Sequence, residues 1–331
     1  MYVLGVDVSK AKLDCALIVQ AEPVKRRQKV VSNDAAGWAK LLQWACQTAG
    51  GCEASQLKVV LEPTSRYHEG VAHYAHDQGA RVWVVNPKQL RDFAKGMGLR
   101  SKTDALDSEV LARFGLTGQA QEWMPAPREL RELQALLRRL EDVDKTRQAE
   151  LNRVEAAQAG AAVSALVMDS LQRSVAFLDE QIRQLEAQID RHIDGHPQLK
   201  ADYALLRSIP AVGPCNARLM LAKLGAGRFD SAAQASGFLG LRPMHWESGS
   251  SVHRMPRLGK HGERLARRAL YMAALTAKRT NPDARALYER LLAKGKKPMV
   301  ALCAVMRKLV HICFGVLKHQ QPYAPQIASS A

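Results

Sequence analysis

The sequence predicts an α/β domain followed by an all-α region, in which a long helical arm precedes a basic helical domain. Three observations predict this fold class. Short β-rich runs alternate with helical stretches in the first third, a leucine periodicity of three and four residues occupies the middle, and positive charge is concentrated in the final third. We therefore expect three segments, 1–125, 126–196 and 197–331, because a chain of 331 residues exceeds the size of most single cores.

The first segment contains four short apolar runs separated by polar or helical stretches. The predicted strands are Tyr2–Val8, Lys12–Val19, Leu57–Leu61 and Val82–Val85. The first two runs are so close in sequence that an antiparallel hairpin is favoured. Helices are predicted at Ala35–Thr48 and Glu69–Gln78. This alternation indicates a mixed α/β sheet.

The middle segment has the pattern of a coiled-coil hairpin. Apolar residues step by three and four along two arms, at Leu130, Leu133, Leu137, Leu140, Leu151 and Val154, and then at Leu171, Val175, Leu178, Ile182, Leu185 and Ile189. The alanine- and glycine-rich stretch Ala156–Ala162 is expected to separate the arms. The apolar faces of the two helices can pack on each other within one chain or pack against another protomer. We favour oligomerisation, because a two-helix arm alone leaves apolar surface exposed.

The composition points to a polyanionic partner. Lys and Arg number 48 against 32 Asp and Glu, a net charge of +16, and residues 201–331 hold 21 basic and 6 acidic side chains. Nucleic acid is favoured over a membrane surface, since no apolar run approaches the roughly 20 residues of a membrane span. The start of the chain does not resemble a secretory signal, and six cysteines without a C-x-x-C pair suit reduced thiols. We therefore expect a cytoplasmic protein.

Four carboxylates are candidates for a metal site. Asp7 and Glu62 lie in or directly after buried strands, where an acid is costly unless it is paired or holds a cation. Asp104 and Asp107 are three residues apart on one helix face. Each acid alone could be a turn residue or a helix cap. Together they supply the oxygen ligands that Mg²⁺ prefers. Two such ions can bind the attacking and the leaving oxygen when a phosphodiester is cleaved, as in ribonuclease-H-like nucleases.

The last segment contains a candidate phosphate-binding turn and a serine-rich loop. Ile209–Ala217 resembles the turn of a helix-hairpin-helix element, in which Gly213 and the following helix would offer backbone N–H groups to a phosphate. Ser248 lies in a polar loop of an otherwise helical region. Such a loop is usually a flexible turn, but its cationic surroundings would also suit attack on a phosphate. The candidate nucleic-acid-binding side chains are Arg254, Arg257, Lys260, Arg264, Arg267, Arg268, Lys296 and Lys297.

Three motifs occur in the order Gly5–Lys10, Leu61–Tyr67 and Lys102–Asp107. Further motifs follow at Leu206–Pro210, Glu247–Ser251, Arg267–Met272, Gly295–Lys297 and Met306–Leu309. In content and order they resemble the DEDD transposases of bacterial insertion sequences, a family described as bridge-RNA-guided serine recombinases and related to the Piv DNA invertases. The sequence departs from the family pattern at Ser65, where glycine is usual, and at Ser108, where alanine is common.

The resemblance implies a fold, a site and partners. It implies a RuvC-like fold for 1–125, a tetrad of Asp7, Glu62, Asp104 and Asp107 that binds Mg²⁺ or Mn²⁺, and Ser248 as the nucleophile. It implies a homo-oligomer, dimer or tetramer, in which the tetrad and the serine come from different subunits. The implied partners are DNA of the element ends and target and a structured bridge RNA, with no membrane, and the implied location is the bacterial nucleoid.

Three other functions are compatible with the same residues. A metal-dependent nuclease of the Holliday-junction-resolvase type would use the acidic residues, with Ser248 as a loop residue only. A site-specific DNA invertase would use the same chemistry for a different exchange. A non-enzymatic nucleic-acid-binding protein is least favoured, because four placed carboxylates are more than a scaffold needs.

Overall fold

The computed structural model describes residues 2–20, 25–98, 104–118, 122–160, 164–225, 227, 229–248, 252–258 and 262–325, and only the backbone of 104–105, 245–248 and 252–256. The chain divides into two compact units, Met1–Pro125 and Ala126–Ala331. The first unit is mixed α/β and the second is mostly helical, which confirms the predicted fold class.

A five-stranded sheet forms the centre of the first unit, in the order β3-β2-β1-β4-β5. The strands are β1 (Tyr2–Val8), β2 (Lys12–Gln20), β3 (Lys25–Ser32), β4 (Leu57–Leu61) and β5 (Arg81–Val84). The pairs β1–β2 and β2–β3 are antiparallel, whereas β1–β4 and β4–β5 are parallel. The predicted antiparallel hairpin of the first two strands is therefore confirmed.

Helices cover both faces of this sheet. They are α1 (Ala35–Thr48), α2 (Tyr67–Asp77), α3 (Pro87–Gly96) and α4 (Asp104–Leu116). Side chains of a strand point alternately to its two faces, so the apolar strands supply two separate cores. One core packs against α1 and α2, and the other packs against α3 and α4.

The strand β3 and the helix α3 were not predicted from the sequence. The strand β3 reads KRRQKVVS and exposes most of its side chains, as expected of an edge strand whose charges discourage pairing with other molecules. It lacks apolar alternation, so its formation depends on the open edge of β2. Helix α3 buries only Leu90, and its start is set by Asn86, whose side chain accepts a hydrogen bond from the N–H of Lys88.

The second unit contains eight helices among its described residues, and a two-stranded sheet. The helices are α5 (Arg128–Gln158), α6 (Ala165–Asp194), α7 (Pro197–Arg207), α8 (Pro214–Leu224), α9 (Ala232–Phe238), α10 (Arg264–Thr280), α11 (Pro282–Ala293) and α12 (Pro298–His319). By length and composition, α12 is the one described helix that could cross a membrane. Eight of its side chains are buried and seven of these pack in the core of this unit, so we interpret it as a core helix.

The predicted arm is an antiparallel pair of helices, α5 and α6, that pack on each other within the chain. Arg147 of α5 pairs with Asp179 of α6, and His192 near the end of α6 lies against Glu129 at the start of α5. α5 ends at Gln158, inside the stretch predicted to separate the arms. The base of the arm is part of the main core, where Leu133 and Ile189 are fully buried.

One expectation for the final segment was wrong. The region around Ser248 is not a polar loop between helices but a hairpin of two antiparallel strands, β6 (Pro243–Ser248) and β7 (Val252–Leu258). The sequence His-Trp-Glu and Val-His-Arg-Met has β-branched and aromatic residues that favour strands once a turn pairs them. The Ser/Gly cluster at 249–251 lies outside the described residues.

Candidate active site

Asp7 and Glu62 lie at the same edge of the sheet, on neighbouring parallel strands. The register pairs Val6 of β1 with Leu61 of β4, so each acid occupies the next position along its strand. Both side chains are half-buried. Alternation along β1 places Asp7 on the same face as Gly5, which is the face covered by α4.

Helix α4 crosses this face antiparallel to β1. A Cβ atom on Gly115, in its last turn, would lie 2.6 Å from Cγ1 of Val3, and a Cβ on Gly5 would lie 2.1 Å from the α4 backbone. The helix therefore runs from the Asp7 end of β1 towards its start. Its first turns, which include the half-buried Asp107, lie towards the edge that holds the two acids.

The fourth expected ligand is only partly visible. Asp104 begins α4, but its side chain lies outside the described residues. Among the side chains that the structure does describe, no group of three or more His, Cys, Asp or Glu is close enough to hold a metal ion. Asp7 and Glu62 thus share an edge, with Asp107 on the helix above, and the complete tetrad remains a prediction.

Asp14, which was not predicted as a site residue, lies directly opposite Asp7 in the β1–β2 register. The residue is buried, and its carboxylate lies 3.0 Å from the ammonium group of Lys12. Burial, and then the negative charges of Asp14 and Asp7, raise the pKa of the Cys15 thiol. The alternation along β2 would have placed Asp14 on the face of Asp7, had the hairpin register been known.

A second missed acid, Glu109, fixes α4 in place. It is buried, accepts a hydrogen bond from Arg26 of β3, and pairs with Arg113 one turn further along α4 at 2.8 Å. Bonds to a charged acceptor are stronger than those between neutral groups. Glu109 therefore ties the helix that holds Asp107 to the edge strand.

Asn33 joins three loops beside the acidic edge. Its Nδ2 donates to the carbonyl oxygens of Ser9 at 2.9 Å and Tyr67 at 3.1 Å, and its backbone N–H donates to Ala11 at 3.0 Å. Its Oδ1 accepts a hydrogen bond from Nε1 of Trp38 at 2.8 Å. The β1–β2 turn, the β3–α1 junction and the start of α2 are therefore held together by one side chain.

The loop after Glu62 contains a residue in the left-handed region. Ser65 has φ +49°, a conformation that favours glycine. This conformation is a physical reason for glycine at the position, the residue usual in the family pattern, whereas Ser65 bears a steric cost there. The turn closes with a hydrogen bond from the N–H of Tyr67 to the carbonyl of Thr64 at 3.1 Å.

Ser248 is the last residue of β6 and pairs with Val252 across the hairpin. Its side chain lies outside the described residues. The base of the hairpin is fixed by two glycines, because a Cβ on Gly262, which follows β7, would lie 2.5 Å from the backbone nitrogen of Gly240, which follows α9. The segments before and after the hairpin are therefore in close backbone contact.

The turn of the expected helix-hairpin-helix element lies between α7 and α8. Gly213 precedes α8 but has an extended backbone, with φ −74°. The nearest atom to a Cβ added there would be Nη1 of Arg207, at 4.0 Å. The left-handed residue is instead Ala211, with φ +74°. The turn is therefore present, but its glycine is not needed for backbone conformation.

The predicted nucleic-acid-binding side chains are distributed over three elements. Arg257, Arg264 and Arg268 are exposed, whereas Arg267 is half-buried and donates to the carbonyl of Gly262 at 3.0 Å. Lys296 and Lys297 are exposed between α11 and α12. Lys260 and the side chain of Arg254 lie outside the described part of the chain.

Two family models match consecutive parts of the sequence. Residues 4–159 match the DEDD-type IS110 transposase model, and residues 203–289 match the transposase model of the IS116/IS110/IS902 family. The chain is 29% identical over 326 residues to a pilin gene-inverting protein of Moraxella bovis, covering 98% of both chains. It is 33% identical over 158 residues, 46% of this chain and 37% of the other, to an uncharacterized protein of insertion element IS110 from Streptomyces coelicolor.

Among solved structures, the chain matches Thermus thermophilus RuvC. The free protein is 15% identical with a TM-score of 0.27, and its complex with a Holliday junction substrate is 17% identical with a TM-score of 0.26. Each match covers 37% of this chain and 100% of the other.

Proposed function

The chain belongs to the IS116/IS110/IS902 family of transposases, enzymes that cleave and rejoin DNA, and on that premise we propose that it excises and inserts the DNA of a mobile element by serine attack on a phosphodiester. The observation that supports this most is the placement of Asp7 and Glu62 at adjacent strand ends, with α4 packed on the same face by Gly5. As a result, carboxylate oxygens that could bind a metal ion lie close together at one edge of the sheet.

The donor set fits a divalent cation. Asp7, Glu62, Asp104 and Asp107 would hold Mg²⁺ or Mn²⁺ through carboxylate oxygens, which these ions prefer over nitrogen or sulfur. When bound, such ions polarise a phosphodiester and neutralise the charge that develops on it.

Ser248 would be the nucleophile. Its Oγ would lose a proton to a base and form a bond to phosphorus, while the bond from phosphorus to the 3′ oxygen breaks and that oxygen takes up a proton. The DNA would then be joined to the serine through its 5′ phosphate, and the free 3′-hydroxyl would remain for exchange. The exposed cations Arg264 and Arg268, which follow the hairpin in sequence, would support the charged phosphate.

The wider assignment follows the family. We place target choice in a structured bridge RNA, the acidic site in residues 1–125, the arm in 126–196, and the serine and most of the basic surface in 197–331. The tetrad and the serine would act in trans within a dimer or tetramer joined through a coiled-coil arm, in the bacterial cytoplasm on nucleoid DNA. Apolar side chains left exposed on α6, such as Leu166 and Phe177, support a further partner for the arm.

Site-specific DNA inversion is the second candidate function. The similarity to pilin gene-inverting proteins, which extends over 98% of both chains, supports this function. Inversion uses the same cleavage and rejoining chemistry on two sites in one molecule. A plasmid with two element ends in opposite orientation separates the two functions, because inversion flips the intervening segment whereas excision removes it.

A covalent-adduct assay tests the chemistry. Purified protein, Mg²⁺, labelled element-end DNA and the RNA transcribed from the element flank are mixed and separated on a denaturing protein gel. We expect a labelled protein band that is lost in Ser248→Ala and in Asp7→Asn. Ser250→Ala and Asp77→Asn are matched controls and should retain the band, since Asp77 is exposed at the end of α2.

Cleaved DNA without an adduct, unchanged by Ser248→Ala but lost in Asp7→Asn, would contradict the serine mechanism and favour a resolvase-type nuclease. Binding with no cleavage product under any metal condition would favour a non-enzymatic nucleic-acid-binding protein.

A further inference from the structure

Two exposed cations flank the acidic edge of the first unit. Lys10 lies in the β1–β2 turn, three residues after Asp7, and Arg66 lies in the loop before α2, four residues after Glu62. We call Lys10 and Arg66 the basic rim. Both side chains are exposed, and neither has an ion pair among the described residues.

The two loops of the basic rim are tied to each other by Asn33. Both N–H groups of its amide are used, one for the Ser9 carbonyl next to Lys10 and one for the Tyr67 carbonyl next to Arg66. A planar amide with both donors engaged holds the two carbonyls at a set separation. The rim therefore behaves as one unit rather than as two independent loops.

Asn33 is itself held from behind by Trp38. The indole N–H donates to the Asn33 side-chain oxygen, and the indole ring lies where a Cβ on Gly70 would come within 2.4 Å of it. Trp38 also lies near Tyr74, with ring centroids 6.1 Å apart. Packing between α1 and α2 thus fixes the orientation of the amide.

A phosphodiester that reaches the acidic edge must be accompanied by its neighbours along the strand. Carboxylates repel these neighbouring phosphates, so cations beside the acids are required to hold the strand in place. Lys and Arg on either side of a reacting phosphate supply that attraction without base specificity.

We propose that the basic rim binds the DNA backbone phosphates next to the reacting phosphodiester, and that Asn33 is the positioning residue that sets the rim. This inference rests on the proposed function for the location of the reacting phosphodiester. Lys12 is not part of the rim, because its ammonium group is paired with Asp14.

The test compares variants in which one cation is replaced by glutamine, so that each variant has the same net charge. Lys10→Gln and Arg66→Gln remove rim cations, and Lys95→Gln removes an exposed cation at the end of α3 as the matched control. Binding of fluorescent element-end DNA is measured without metal across a salt series. Each rim variant should weaken binding about threefold to tenfold and lower the salt slope by about one, whereas Lys95→Gln should match the wild type.

A cleavage assay with Mg²⁺ gives the second readout. The rim variants should raise the DNA concentration at half-maximal rate and keep the rate at saturating DNA within about twofold of wild type. Asn33→Ala should weaken binding as well, and adding Lys10→Gln to it should have little further effect, because the rim is already displaced. A purely structural role for Asn33 predicts additive effects instead.

The outcomes separate the two proposals. If Lys10→Gln and Arg66→Gln bind DNA like Lys95→Gln, the rim is refuted even when the wild type cleaves DNA. If the wild type never cleaves DNA but the rim variants still lose affinity and salt dependence, the proposed function fails and the rim stands as a DNA-binding site. The same titration with labelled flank RNA is the third arm, and a loss of RNA binding alone would overturn the assignment to DNA.

Discussion

Gly5 of β1 lies directly beneath Ser108 of α4, so that a Cβ atom on residue 5 would lie 2.1 Å from the backbone carbonyl oxygen of Ser108. It would also lie 2.5 Å from the amide nitrogen of Ala112. The missing side chain therefore sets the distance between the strand of Asp7 and the helix of Asp107. The neighbouring atoms belong to the backbone, so no change of rotamer can make room.

Gly5→Ala should displace α4 from the sheet. We expect a loss of about 1–3 kcal/mol in the free energy of unfolding, the usual range for overpacking, and a loss of metal-dependent DNA cleavage larger than the loss of stability explains. Urea denaturation and cleavage assays at a temperature where the variant is folded measure both. Gly96→Ala is the control, because a Cβ at that helical position meets no atom within 4 Å. Cleavage at the wild-type rate by a folded Gly5→Ala protein would contradict the positioning role.

Ser65→Gly should stabilise the first unit. A non-glycine residue at φ +49° costs about 1–2 kcal/mol, and the greater freedom of glycine in the unfolded chain offsets about 0.4–1 kcal/mol of that. The expected net gain lies between zero and about 1.6 kcal/mol by urea denaturation. Ser55→Gly, at an exposed position without positive φ, should instead be neutral or destabilising. A destabilised Ser65→Gly would show that the serine side chain contributes more than its backbone costs.

Gly213→Ala should leave the stability of the protein almost unchanged and should weaken phosphate binding at the start of α8. Its backbone is extended and the space for a Cβ is open, so the free energy of unfolding should change by less than about 0.5 kcal/mol. If the start of α8 receives a phosphate, the added methyl group should still weaken DNA binding. Fluorescence titration at constant salt measures this effect. Equal affinity of the variant and the wild type would remove Gly213 from the DNA-binding surface.

Asp190→Ala should loosen the attachment of the arm. Arg218 of α8 is buried and donates to both carboxylate oxygens of Asp190 of α6, at 2.7 and 2.6 Å. Removing the partner leaves a buried guanidinium without its main acceptor, although Asp190 itself is half exposed. We expect a loss of about 1–3 kcal/mol by urea denaturation. Glu186→Ala is the control and should cost under about 1 kcal/mol, because Glu186 lies 3.5 Å from the same arginine and is similarly exposed.

His311 should make stability depend on pH. Burial, and then the positive charges of Arg307 and Lys308, lower the pKa of this imidazole below its usual value of about 6.5. Below that value the unfolded chain takes up a proton that the folded chain does not, so the free energy of unfolding should fall as the solution is acidified, by less than about 1.4 kcal/mol per pH unit. Denaturation at neutral and mildly acidic pH measures the slope. His311→Gln should flatten it, and an unchanged slope would assign the effect to other groups.

The sequence predicted the strands and helices with buried, periodic apolar residues, and it missed those that depend on a neighbour. Leu57–Leu61 and Ala35–Thr48 were predicted with the bounds that the structure has, because their apolar patterns reflect burial directly. The strand β3 was missed because its charged side chains show no alternation. The β6–β7 hairpin was missed because a cluster of serine and glycine looks the same in a loop and in a hairpin turn.

The candidate site was predicted in part. The sequence marked Asp7 and Glu62 as acids in or directly after buried strands, and the register of β1 and β4 places them side by side. It did not mark Asp14 or Glu109, because the first needs the β1–β2 register and the second needs the approach of α4 to β3. The role of Asn33 could not be predicted from the sequence, because its side chain donates to two carbonyl groups that are distant in the chain.

By itself the sequence determined the order of α/β and helical parts, the concentration of positive charge at the end, and the acids that could hold a cation, because burial and charge leave their pattern in the order of residues. The tertiary structure alone decided which strands are neighbours, that α4 lies on Gly5, that the arm folds back within one chain, and that one amide joins the two loops of the basic rim. These depend on backbones from distant parts of the chain coming within hydrogen-bonding or van der Waals distance, and such distances follow from packing rather than from local sequence.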